Sequence, residues 1–430
     1  MTGDPVAAFV EVATAHPRCF WLDGGGARAW SGRRSLLGWL DPDDVSLSYS
    51  AATGEVVRHR GGRAEVVGDD PFAVLEAELA AGSRTDQWFG YLGYAARADL
   101  PAYPSDTVPD AVWMRPSHVR LFEHDVLREN RTFSGGVLPE NVRFPRITGE
   151  TDHPPAPYAA AFARVQEHLH AGNSYEVNLT YRTEVASDLD PVTAYLRLRA
   201  LNPAPYAGFL QHDVPGAEAW LLSSSPERYA VVGADRSIET KPIKGTTLRG
   251  RTPEEDEEHR RALAAEPRFR SENLMIVDLL RNDLSMVCEV GSVEVPELMA
   301  VESYETVHQL VSTVRGRLRP DVTTVGAVRA LFPAGSMTGA PKLRTMEIVR
   351  EVEDTPRGAY AGAFGWISAD GRADLGVVIR SLMTTGDGRW HLGTGGGVTV
   401  HSDPASEHAE SRWKAERLLS VFATPGGNTA

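Results

Sequence analysis

Hydrophobic and polar positions alternate in short runs over the first third of the chain, as in Phe20 to Leu22, Val45 to Tyr49 and Val112 to Met114. Turn material such as Gly24 to Gly26, Gly61-Gly62 and Pro101 to Pro104 separates them. This pattern predicts many short antiparallel strands with few helices. Further on the period lengthens. Residues Tyr158 to Ala171 read as a helix stopped by Gly172-Asn173, and Tyr175 to Thr183 alternates as a strand. Asp190-Pro191 opens another helix that ends before Asn202-Pro203. The run Thr252-Pro253-Glu254-Glu255 starts a helix to Ala265, with a capping threonine, a first-turn proline and a glutamate three residues on. After Ser271-Glu272, the residues Asp278, Arg281, Asn282 and Ser285 form one polar face of a mostly buried helix.

Phe332 to Lys342 is a glycine-rich loop entering a helix near Pro341. Strands are predicted at Gly362 to Ser368, Leu375 to Thr385 and Trp390 to Leu392, with Gly393 to Gly397 at the end of the last. A final helix runs from about Pro404 to Ala423. The weakly patterned stretch Arg146 to Pro157 is the predicted seam between residues 1–150 and a second region at 157–420, leaving 421–430 as a tail.

Composition narrows the class. Of 430 residues, 42% are hydrophobic and 24% charged, ordinary globular values that leave room for a sizeable core. No apolar run approaches the ~18 residues that span a bilayer, and the start MTGDPVAAFVEV lacks a basic segment ahead of an apolar one. A soluble, cytoplasmic protein with no membrane contact is expected. The net charge of −14 opposes any nucleic-acid partner. Cys19 and Cys288 stand alone and far apart, so neither a disulfide framework nor a thiolate metal site is expected.

Chemistry concentrates in the second region. In KPIKGTTLRG, Lys244 follows an alternating segment and should emerge at the end of a strand. Glu227, in SSSPER, precedes the alternating run Arg228 to Val232; a turn at Gly233 to Asp235 would bring it beside Lys244. An amine and a carboxyl so placed are a candidate nucleophile and acid, although a solvated ion pair is the alternative. Glu407, Glu410 and Lys414 project from one face of the last helix. That face is either exposed and ion-paired or, if Glu272 converges on it, a carboxylate site suited to Mg2+. Gly393 to Val398 fails the G-x-G-x-x-G pattern and Gly245 to Arg251 fails the P-loop, so ATP and dinucleotides are not expected. Arg380, read as mid-strand in VVIRSLM, is either a fork for a substrate carboxylate or half of a structural ion pair.

Residues 157 to 420 resemble the chorismate-utilising enzymes, whose branches include the anthranilate, aminodeoxychorismate, isochorismate and salicylate synthases. The resemblance is carried, in order, by SPER, PIKGT, ENLMIVDLLRNDL, HQLVSTVRG, FPAGSMTGAPK, AYAGAFGW, VVIRS and SDPASEHAESRWKAERLL. It implies an α+β fold like that of anthranilate synthase component I, with two large, mostly antiparallel sheets packed face to face, helices outside, and a variable N-terminal part interleaved with the rest. It also implies roles. Glu272 and Glu410 would hold Mg2+ with Glu407 in support. Arg380, Gly395 and Lys414 would bind substrate carboxylate, and Tyr360, Ser336 and Thr246 would line the pocket. Glu227 and Lys244 would be the catalytic acid and nucleophile. Lys244 stands where other branches have alanine. Glu176 stands where water-adding members have a lysine, and Gln309 where anthranilate synthases have a histidine. The resemblance therefore implies amination of chorismate at C4 through a covalent lysine intermediate, toward 4-aminobenzoate for folate or a specialised metabolite. Neither cysteine lies in a G-x-C-x-G elbow, so a glutamine amidotransferase subunit is the implied source of ammonia. For Lys244 to attack at neutral pH, its pKa should fall by desolvation from the free value of about 10.4. Phe269 departs from a commonly acidic position three residues before Glu272.

Overall fold

A computed structural model of the chain describes residues 4–24, 34–124, 154–304 and 307–423. The predicted seam falls largely outside the described residues, as does most of the tail. Four helices open on the same dipeptide, Asp-Pro, at Pro5–Ala15, Pro71–Ala81, Pro191–Leu201 and Pro404–Leu419. In each the aspartate side chain accepts a first-turn backbone N–H while proline, which has none, fills the next position. Thr252 caps Pro253–Ala265 as its sequence predicts, accepting from the Glu255 amide.

Among the described residues, the strands form two sheets of nine and twelve strands. The nine-stranded sheet runs in the order Gly339–Ala340, Glu176–Ala186, Arg389–Val398, Ser381–Thr384, Ala219–Ser225, Tyr206–His212, Arg18–Asp23, Arg34–Trp39, His118–Glu123. The other runs Ile243–Leu248, Val307–Arg317, Ser237–Lys241, Arg228–Val232, Ala373–Val377, Ala363–Ser368, Gln87–Leu92, Ala111–Met114, Ser46–Ser50, Glu55–Arg60, Arg63–Gly68, with Glu294–Ser303 also paired to Val307–Arg317. Strands from before and after the seam enter both sheets.

The main core lies between the sheets. Phe20 from one stacks on Phe89 from the other at 3.8 Å, and Leu210, Leu221, Tyr229, Phe364 and Met383 complete it. Glycines let the layers approach: a Cβ on Gly208 would come within 2.6 Å of the Phe364 ring, and one on Gly376 within 2.5 Å of Tyr206. A second cluster packs the helices Pro5–Ala15, Pro191–Leu201 and Pro404–Leu419 on the outer face of the nine-stranded sheet. Cys19 and Cys288 are buried free thiols. Among the described residues, no helix is long and apolar enough to cross a membrane.

Two local expectations change. Leu375 to Thr385 is not one strand: it breaks between Ala373–Val377 and Ser381–Thr384, which lie in different sheets, and Arg380 sits in the break with φ of 51°. The glycines 393–397 do not follow a strand but lie within one, Arg389–Val398, paired residue by residue with Glu176–Ala186. Side-chain alternation is what marks a strand in sequence, and a glycine run carries none.

Candidate functional site

The chain steps from the nine-stranded to the twelve-stranded sheet between Ala219–Ser225 and Arg228–Val232, and back between Ala373–Val377 and Ser381–Thr384. These crossings are neighbours, joined by the Val377 amide donating to the Glu227 carbonyl at 3.0 Å. Glu227 lies on the first and Arg380 on the second. Together they form part of the wall of a cavity of about 420 Å³, to which Ile243–Leu248, the helix Pro267–Ser285, the glycine strand and the last helix also contribute.

Lys244 and Glu227 both line this cavity, though not as hairpin neighbours. The hairpin pairs Arg228 with Lys241, whereas Lys244 belongs to the next strand, which pairs with Val307–Arg317. Each has its own partner. Glu227 is buried and accepts a 2.5 Å hydrogen bond from the Ser336 hydroxyl. Lys244 is 8% exposed and donates to Glu176, which is fully buried on the facing sheet. Burial pushes the Glu227 carboxyl up to about 7, against the pull of Ser336, Lys244 and Lys414. The lysine runs against its sequence-based expectation. Burial presses its pKa down, but the carboxylates of Glu176, Glu272 and Glu227 outweigh that and raise it. That direction favours the ammonium form of the amine.

Glu272 and Glu410 line the cavity, and Glu407 lies behind it. Arg268, unmarked in the sequence reading, stands between two of the three. Its Nε donates to Glu272 at 2.9 Å and its Nη2 to Glu407 at 2.5 Å. Its position one turn before Glu272 is the signal that would have found it. Glu410 instead pairs with Lys414 at 2.8 Å, which holds its pKa low despite burial. Burial raises Glu407.

Among the described residues, no three carboxylates, imidazoles or thiols are grouped to hold an ion by themselves. The donors nevertheless fit Mg2+. Glu272 and Glu410 offer hard oxygens at the cavity, enough for an ion that completes its shell with water and substrate. The buried Oε2 of Glu407 has no hydrogen-bond partner. Beside it Gly396 leaves the strand bare, since a Cβ there would stand 3.4 Å from that oxygen.

The remaining predicted residues share the cavity. Lys414 Nζ also donates to the Gly395 carbonyl at 3.0 Å. The Tyr360 ring packs where a Gly393 side chain would be, and Thr246 is half-buried opposite Gln309. Arg380 faces the cavity with its guanidinium 5.7 Å from the Trp413 ring. Burial and Arg417 press its pKa down to about 10, a cost that a bound anion would relieve. Phe269 packs against Gly245, whose φ of +100° excludes most side chains, and so closes the cavity's edge with an apolar ring. The Oε1 of Gln309 is buried at the wall without a partner.

The family model for chorismate binding enzymes matches residues 19–420. The chain belongs to this family. It is 39% identical to an aminodeoxychorismate synthase of Streptomyces pristinaespiralis over 97% of its length, and 40% identical to one of Streptomyces griseus over 98%. The chain spans 64% and 63% of the lengths of those two relatives. Among solved structures, anthranilate synthase component I of Streptococcus pneumoniae superposes with a TM-score of 0.71 at 25% identity, covering 90% of this chain and 92% of that one. The fold is the α+β arrangement that the motifs imply.

Proposed function

We propose that this chain aminates chorismate at C4, as an aminodeoxychorismate synthase component I, with Mg2+ as cofactor and ammonia supplied in the cytoplasm by a glutamine amidotransferase partner. One observation carries the reading: a buried amine, Lys244, and a buried carboxyl poised near pH 7, Glu227, share a cavity with Glu272 and Glu410. Chorismate is a dianion with a poor leaving group, its C4 hydroxyl.

Arg380 and Lys414 supply cationic donors for substrate carboxylate, with Gly395, Tyr360, Ser336 and Thr246 shaping the wall. Mg2+, held by Glu272 and Glu410 with Glu407 in support, would withdraw charge through the ring carboxylate when bound. Glu227 gives its proton to the departing hydroxyl as Lys244 attacks C2. The C4–O bond breaks, water leaves, and the ring stays attached to the lysine nitrogen. Ammonia then bonds to C4, the C2–N bond breaks, and Glu227 recovers a proton from the new ammonium.

The deciding experiment incubates the chain with chorismate, Mg2+ and ammonium chloride and identifies the product by mass and chromatography. 4-Amino-4-deoxychorismate is expected. Anthranilate would place the chain with the anthranilate synthases instead, and unchanged chorismate with retained binding would make it a non-catalytic binder. Lys244→Ala should abolish any covalent adduct and slow product formation by at least ~10²-fold; an unchanged rate would remove the nucleophile.

A further inference from the structure

The geometry points to Glu176 as the resident proton partner of Lys244, taking a proton from the lysine before the amine attacks and returning it once the amine has been expelled. This rests on the covalent route proposed above and adds a residue and a division of labour to it.

At the moment of attack one group must give a proton to the leaving oxygen while another has already taken one from the lysine. A single carboxyl cannot be acid and base at once. Glu227, buried at the cavity wall and pushed by that burial toward its protonated form, takes the first task. Several charged groups face Lys244: Glu176 from the nine-stranded sheet, Glu227 from the crossing, Glu272 and Arg268 from the helix Pro267–Ser285, and Glu410 from the last helix. Among the described residues, only Glu176 is hydrogen-bonded to its amine.

Glu176 is also built to hold a proton. Its side chain is fully buried, its Oε1 faces the lysine, and its Oε2 is buried without a hydrogen-bond partner. An unpartnered oxygen in a dry wall gains little from keeping its charge, and burial raises the carboxyl's pKa accordingly. Main-chain contacts fix the residue: its carbonyl accepts from the Ser174 hydroxyl at 2.9 Å, and its backbone pairs with Ala340. The facing strand is bare at this point. A Cβ on Gly397 would fall on Glu176 Oε1 and come within 3.0 Å of Lys244 Nζ.

The steps balance. Proton transfer from Nζ to Oε1 turns an ammonium and a carboxylate into an amine and a carboxylic acid. The amine bonds to C2 as the C4–O bond breaks, and Glu227's proton leaves with the oxygen as water. When ammonia bonds to C4, the C2–N pair returns to the lysine, which regains its proton from Glu176, while Glu227 takes one from the C4 ammonium.

The test follows adduct formation by intact-protein mass, as chorismate less one water, with chorismate and Mg2+ and without ammonia, across pH 6 to 10. Glu176→Gln should form the adduct at least ~10²-fold more slowly than the unaltered chain at pH 7. The deficit should shrink as pH rises and solvent base takes over. Glu176→Asp, which keeps a carboxyl, should be slower but retain the unaltered pH profile. Adduct formation by Glu176→Gln at the unaltered rate, or slowed equally at every pH, would overturn the assignment. If the unaltered chain makes product yet never carries an adduct while Lys244→Ala is fully active, the covalent reading itself falls, a signature that Glu176→Gln cannot mimic.

Discussion

Glu227 would serve as an acid only while it keeps its proton, and opposing influences decide when it does. Burial favours the neutral form, while the Ser336 hydroxyl, donating to Oε1, and more weakly the Lys244 and Lys414 ammonium groups favour the carboxylate; the balance lies at about 7. Activity that needs the protonated form is therefore present below that pH and lost as pH rises through it. Removing the hydroxyl in Ser336→Ala removes the largest influence that lowers the pKa, so the alkaline limb of the kcat/KM profile should move upward. A hydrogen bond to a charged group is worth about 1.5–3 kcal/mol, and 1.36 kcal/mol is one pKa unit, so the shift should be roughly one to two units. A limb that stays put in Ser336→Ala would mean that another group sets it. At this scale the sequence is legible as far as placement goes: Lys244, Glu227 and Glu410, each named by a motif, line one cavity. It was not legible where a role depends on a partner from the other sheet. Nothing local to Lys244 announces Glu176, 68 positions earlier, and so the lysine was expected to have a lowered pKa.

At the scale of elements, the strand Arg389–Val398 departs most from ordinary sequence grammar and has the clearest reason to do so. Its glycines keep full pairing with Glu176–Ala186 while presenting no side chain to the cavity. The vacated space is used: Tyr360 takes the place beside Gly393, Glu407 the place beside Gly396, and the Glu176–Lys244 pair the place beside Gly397. Gly397 does not adopt a positive φ, so an alanine there meets a problem of space, not of backbone conformation. Gly397→Ala should therefore fold, with a far-ultraviolet circular dichroism spectrum like that of the unaltered chain but a lowered melting temperature, since the methyl group parts a buried ion pair. The methyl group should still drive the carboxylate off the amine and cost at least ~10-fold in turnover. A variant with unaltered turnover would show that the pair tolerates displacement. The helices were easier to anticipate, because an Asp-Pro or Thr-Pro start acts through its own backbone and needs no distant partner. Arg380 was misread for the opposite reason. Its neighbours alternate like a strand, but the two ends of that alternation belong to different sheets.

For the whole molecule, the cavity exists because the chain crosses twice between sheets at one place, and a part-buried polar tie holds the layers in register beside it. Tyr206, from the nine-stranded sheet, donates to Asp374 at 2.9 Å and accepts from Arg228 Nε at 2.9 Å, both on the twelve-stranded sheet. Arg228 also pairs with Glu239, and the Tyr206 ring covers Gly376. Arg228 directly follows Glu227, so this tie fixes the crossing that carries the proposed acid. Tyr206→Phe keeps the ring on Gly376 and removes only the hydroxyl, and with it the hydrogen bonds to Asp374 and from Arg228 Nε. A hydrogen bond contributes about 0.5–1.5 kcal/mol net, so losing these two costs about 1–3 kcal/mol, and denaturant titration should show a loss of that size with an unchanged slope. Loosened register would reach the chemistry through Glu227 more than through Arg380, whose carbonyl is held independently by the Ser224 amide and hydroxyl at 3.1 and 2.8 Å. The variant should accordingly lose kcat several-fold with little change in the KM for chorismate. A rise in KM at constant kcat would show instead that the tie serves the binding side of the cavity, and that the acid is positioned by Ser336 and the Val377 contact alone.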